Sequence, residues 1–150
     1  MSDPNVVPIR ALTIVKTARP CSDPDCKREG CVETDRHYLT TSGERVARLE
    51  PGDAYLFRYH DPGYDGCWSN CDGEHLFVQL PGGASWNVDS RAGNCGSPSD
   101  REHRCWVKHG SIADGTIHVD KSGRTCTAGG GSIAAPGYHG FLHNGALRQC

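Results

Sequence analysis

The chain has 150 residues, with 16 Lys and Arg against 18 Asp and Glu, eight histidines and nine cysteines. That length predicts one domain, residues 1–150, and the near-neutral charge excludes an electrostatically driven nucleic-acid binder, whose domain would be strongly basic. Only 36% of residues are hydrophobic while 19 are Gly and nine are Pro, which predicts a thin core and many loops, a composition in which metal ligation adds folding free energy.

Taken in chain order, the strand signals are short and the helical ones almost absent. Residues 9–16 are apolar and β-branched and predict a first strand. Residues 17–44 are polar, cysteine-bearing and poor in aliphatics apart from Val32 and Leu39; they read as an irregular Cys-rich insertion, floppy without metal. Behind the Pro51-Gly52 turn, residues 53–59 predict a strand, and residues 75–80 and 84–88 flank Pro81-Gly82-Gly83 as a hairpin. Ser99-Asp100-Arg101-Glu102 has the pattern of a capping box for a single helical turn, after which Cys105-Trp106-Val107 resumes as strand. Residues 116–119 and 124–127 flank Asp120-Lys121-Ser122-Gly123, and residues 138–142 join 146–148 through Asn144-Gly145, the favoured type I′ pair. The run Gly129-Gly130-Gly131 lacks the Lys and the following helix of a phosphate loop. The sum is a mainly β fold: a small single domain of antiparallel hairpins with one short helical turn, stabilised by zinc.

The cysteines carry the chemistry. Cys21, Cys26 and Cys31 are spaced C-x4-C-x4-C, Cys67 and Cys71 follow as C-x3-C, and Cys95, Cys105 and Cys126 lie among His103, His109, His139 and His143. Thiolate and imidazole together suit Zn2+, a borderline-soft ion that takes sulfur and nitrogen in sets of four. Three thiols in the first cluster need a fourth ligand, for which Cys67, Cys71 and His37 are the candidates. In the second half the candidate ligands are Cys95, His103, Cys105, Cys126 and His139, each cysteine there being as readily a small buried hydrophobe. Cys150 reads as an unpaired tail thiol. The first residues, Met1-Ser2-Asp3-Pro4-Asn5, have neither the basic nor the apolar region of a leader, and no stretch approaches the roughly 18 apolar residues of a spanning helix. The expectation is a soluble chain in a reducing cytoplasm, without membrane association, where clustered thiols are ligands or catalysts more often than disulfides.

Four stretches together resemble small proteins of unassigned function encoded by actinobacterial phages: Trp86-Asn87-Val88-Asp89-Ser90-Arg91-Ala92-Gly93-Asn94-Cys95, His103-Arg104-Cys105-Trp106-Val107-Lys108-His109-Gly110, Val119-Asp120-Lys121-Ser122-Gly123-Arg124-Thr125-Cys126 and Tyr138-His139-Gly140-Phe141-Leu142. The resemblance covers roughly residues 50–148. The name ammonia monooxygenase, which such proteins sometimes carry, does not fit a chain with no membrane segment. More distantly, Cys71, Trp86, Gly131-Ser132-Ile133 and His139 resemble a domain family with a cysteine knuckle near its start and a Ser-His pair near its end. In that pattern a Cys precedes the His by three residues; here the position is Pro136, and Cys126 is the residue that would substitute.

Three functional classes follow. One is a non-catalytic binding module with structural zinc, acting on a host or phage macromolecule, most simply a protein, in the host cytoplasm. Another is a zinc-dependent hydrolase of a phosphate or amide, with Asp89 or Asp120 as general base and Arg91 or Lys121 holding an anion; a Cys105–His139 nucleophile pair is a variant of it. The third is a structural component of the virion. Sulfur-rich sites are more often closed and structural, which favours the module. Nucleic-acid binding through Arg101, Arg104, Lys108 and Arg124 beside Trp106 is its mildest extension. If zinc energy is folding energy here, chelation should unfold the chain.

Overall fold

The computed structural model describes residues 5–58, 74–90, 105–120 and 132–150. Among them are thirteen strands and no helix: β1 (Val6–Pro8), β2 (Arg10–Ala11), β3 (Thr13–Pro20), β4 (Val32–Leu39), β5 (Arg45–Val46), β6 (Asp53–Arg58), β7 (Glu74–Gln79), β8 (Ser85–Asn87), β9 (Val107–His109), β10 (His118–Asp120), β11 (Ile133–Ala135), β12 (Tyr138–His143) and β13 (Ala146–Gln149). They form four sheets, ordered β2-β6-β7-β8, β1-β13-β12-β11, β9-β10 and β3-β4-β5. Every pairing is antiparallel except that of β2 with β6. Among the described residues no helix is long and apolar enough to cross a membrane.

Strand period decides what is buried. Along β7, Leu76, Val78 and Leu80 point the same way and are at most 1% exposed, while the alternate residues Phe77 and Gln79 face out. Their face joins Ala54, Trp86 and Val88 of the same sheet to Ile117 and Val119 beside β10 and to Ile133, Tyr138, Leu142 and Leu147 of the β11–β13 sheet, in one cluster. Burying a side chain of Leu size stabilises by about 1.5–3 kcal/mol, so this shared cluster is the main apolar stabilisation of the described fold. Polar ties lock its margins. Asp53, 2% exposed, receives Arg10 through Nε and Nη2 at 2.7 Å each and the Glu50 amide at 2.8 Å, fixing the parallel β2–β6 pair.

Several expected elements stand where the turn residues put them. β7 and β8 form the hairpin around residues 81–83, and β12 and β13 turn through Asn144 (φ 49°) and Gly145 (φ 75°), the two positive values a type I′ turn requires. A Cβ on Gly145 would press on the Gly115 carbonyl, so this corner also sets how closely the 111–117 loop approaches. The helical turn expected at 99–102 and the strand at 124–127 lie outside the described residues. Residues 118–120 pair backward with β9. The strand expected over 9–16 divides at Leu12: its first part lies along β6, and its second leaves to pair with β4.

One expectation is corrected in part. Within the segment 17–44 read as irregular, residues 17–20 and 32–39 are regular, because β3 and β4 pair over eight registered positions from Thr13↔Leu39 to Pro20↔Val32, with β5 as a third strand, while residues 21–31 between them carry no strand. The hairpin is held by ladder bonds and by rings at its root rather than by aliphatic alternation. Tyr38 lies against Tyr55 with ring centroids 4.8 Å apart, Tyr55 stacks on Phe77 at 5.5 Å, and Phe77 meets Phe57 edge-on at 6.2 Å. Lys16 and Arg36, themselves cross-strand partners, both sit over Phe57, at 4.3 and 5.2 Å from its centroid. Such aromatic pairs each contribute about 0.5–1.5 kcal/mol beyond burial. Burial, with the hydrogen bond to Tyr38, raises the Tyr55 phenol well above its ordinary value.

Candidate metal centre

Residues 21–31 close the far end of the β3–β4 hairpin, and the sequence there reads as two β-turns in succession, each ending on a cysteine. In Asp23-Pro24-Asp25-Cys26 the Cys26 amide donates to the Asp23 carbonyl at 3.1 Å, Pro24 presets the second position, and the Asp23 carboxylate caps the Asp25 amide at 2.9 Å. In Arg28-Glu29-Gly30-Cys31 the Cys31 amide donates to the Arg28 carbonyl at 3.3 Å, and Gly30 supplies the third position with φ 70°. At the neck, the Cys21 amide donates to the Cys31 carbonyl at 3.1 Å, continuing the ladder by one step.

These turns bring Cys21, Cys26 and Cys31 together. The three half-buried thiols have sulfurs all within 4.8 Å of one another, and among the described residues no other His, Cys, Asp or Glu joins them. None of the three is in a disulfide. Hydrogen bonding to the Arg28 amide, then to the Cys31 and Cys21 thiols, lowers the Cys26 thiol from its ordinary value. The cluster can therefore hold a metal ion. His37, on β4 opposite Val15, stands apart from it.

The other candidate ligands divide. Cys67, Cys71, Cys95, His103 and Cys126 lie outside the described residues. Cys105 is buried, 5% exposed, just before β9. His139 is exposed on β12, where its Nε2 lies 3.2 Å from Ser132 Oγ. Asp89 is committed structurally: buried, it takes the Leu76 amide at 2.8 Å and the Lys108 ammonium at 2.9 Å. Lys108 thus points inward, away from the basic rim expected beside Trp106, whose ring packs edge-on against Trp86 at 5.3 Å. Arg91, Arg101, Arg104, Lys121 and Arg124 lie outside the described residues.

A second constellation was not singled out from the sequence. His109 and His118 are cross-strand partners on β9 and β10, and Asp120, two residues on, shares their face. Its Oδ1 is 2.9 Å from His109 Nε2 and its Oδ2 is 3.2 Å from His118 Nε2. His118 Nδ1 is buried without a hydrogen-bond partner, and the His143 ring on β12 lies 4.5 Å from that of His118. Burial, then His118 and Arg148, hold His143 below the ordinary imidazole value against the opposing pull of Asp120. The available signal was the alternation His118-x-Asp120; its pairing with His109 depends on a register that no local pattern announces.

No protein-family model, curated protein or solved structure matches this chain.

Proposed function

We propose that the protein is a metal-binding β module in which the 21–31 loop holds Zn2+ through Cys21, Cys26 and Cys31, in a structural rather than catalytic role, and presents the ordered tip to a protein partner. The observation that carries this reading is the convergence of three thiols within 4.8 Å in one loop built from consecutive turns. Cys67 and Cys71 are the sequence candidates for the fourth ligand that a closed zinc site takes. The resemblance to actinobacteriophage proteins makes a host or phage protein the partner to seek.

The test is native mass spectrometry and elemental analysis of protein purified without chelator, repeated on Cys26→Ser. One zinc per chain, lost or strongly weakened in the variant, supports the reading. A metal-free chain whose mass is lower by pairs of hydrogens would mean disulfides and would overturn it.

A further inference from the structure

We propose that the 21–31 loop is by itself a complete site for a trivalent thiophilic ion of the arsenic(III) class, which needs three sulfur ligands and no fourth. This deepens the metal reading of the loop and rests on it.

Three observations support the choice of ion. The donor set is purely sulfur: the same loop carries Asp23, Asp25 and Glu29, yet no carboxylate joins the cluster, and that of Asp23 is turned onto the Asp25 amide. Ions that demand oxygen are poorly served, and soft ones well served. The spacing is close to what three bonds need. With metal–sulfur bonds of about 2.3 Å, three sulfurs around one centre stand about 4 Å apart in a plane and about 3.4 Å apart in the pyramid that a lone pair imposes, so sulfurs already within 4.8 Å close up by at most about 1.5 Å. The loop's side-chain charges, Asp23, Asp25 and Glu29 against Lys27 and Arg28, are net negative before any thiol ionises. Three thiolates would leave a divalent ion's site with a further negative charge, whereas a trivalent ion cancels them.

The reaction balances without a redox partner. Arsenous acid exchanges three As–O bonds for three As–S bonds; each thiol proton leaves with a hydroxide as water, and arsenic stays trivalent. Its lone pair occupies the fourth direction, where zinc would require another ligand.

The experiment is arsenite titration of the reduced full-length protein, with and without zinc, read by native mass spectrometry and by alkylation mapping of each cysteine. The expected result is one arsenic bound per chain with the loss of three waters, protection of Cys21, Cys26 and Cys31, and displacement of bound zinc. A Cys67→Ser/Cys71→Ser variant should bind arsenite unchanged, and Cys26→Ser should bind it at least tenfold more weakly. Protection of only two loop thiols, or loss of binding in the Cys67→Ser/Cys71→Ser variant, would overturn the inference. Zinc that stays bound and blocks arsenite would also overturn it, leaving the zinc reading intact. Loop thiols that neither zinc nor arsenite protects would remove both.

Discussion

Removing metal should loosen the tip of the β3–β4 hairpin and leave the core folded, contrary to the expectation that chelation unfolds the whole chain. The 11 residues 21–31 are tied by three backbone hydrogen bonds, at 3.1, 3.1 and 3.3 Å. At about 0.5–1.5 kcal/mol net each, these contribute roughly 3 kcal/mol. Fixing the same stretch costs on the order of 10–20 kcal/mol in backbone entropy. The deficit, about 10 kcal/mol, is of the size a structural zinc supplies, roughly 10–16 kcal/mol. By contrast, the buried cluster of Leu76, Val78, Val119, Leu142 and Leu147 takes no side chain from the loop, and the hairpin root has its own aromatic and ladder contacts. Hydrogen exchange followed by mass spectrometry, before and after a strong chelator, checks this. The amides of Cys21, Cys26 and Cys31 should lose protection by orders of magnitude, while those of β7, β10, β12 and β13 keep theirs. Loss of protection across the core would refute the separation of tip from core, and an unchanged loop would refute metal ordering.

Leu147→Ala, at a position 0% exposed, should destabilise by about 2–5 kcal/mol in urea unfolding, through lost transfer energy and the cavity left behind. Lys108→Met should cost about 2–4 kcal/mol in the same assay, because it takes the ammonium group away from the buried Asp89 carboxylate; a neutral result would refute that coupling. The depressed His143 value means that the unfolded chain takes up a proton first as pH falls. Its contribution to stability is therefore complete above the ordinary imidazole value near 6.5 and declines below it, toward the pH at which folded His143 itself protonates. His143→Gln should flatten the melting temperature against pH below the ordinary imidazole value near 6.5, and NMR titration of the imidazole should show the shift directly. Gly30→Ala should weaken zinc binding by about tenfold, since an alanine at φ 70° strains the turn that delivers Cys31 by about 1–2 kcal/mol, while Gly30→Asn should be milder; calorimetric titration measures both.

What could be read from the sequence was what local chemistry dictates. Asn144-Gly145 and Pro81-Gly82-Gly83 specify their turns, Leu76-x-Val78-x-Leu80 alternates at the strand period, and three cysteines at five-residue spacing announce a cluster that the turns Asp23-Pro24-Asp25-Cys26 and Arg28-Glu29-Gly30-Cys31 assemble. What escaped was set by partners distant in the chain. The segment Val-Glu-Thr-Asp-Arg-His-Tyr-Leu carries no hydrophobic alternation, because β4 is held by its ladder to β3 and by Tyr38 against Tyr55, a contact across 17 residues. Asp120 resembles a turn residue by composition, yet it ends a strand paired with β9, and its carboxylate gathers two imidazoles that only the β9–β10 register brings together. Lys108, basic in sequence, serves as an internal counter-ion because Asp89 is buried beside it.

The eight-rung ladder between Thr13 and Leu39 has an implication for how this chain can vary. Because the ladder, rather than the tip, anchors the hairpin, residues 21–31 behave as an interchangeable cassette: longer, shorter or chemically different loops can replace them between the same two strands. Selection can therefore act on the tip's specificity at a pace of its own, and a designer can graft the three-cysteine loop onto another regular hairpin.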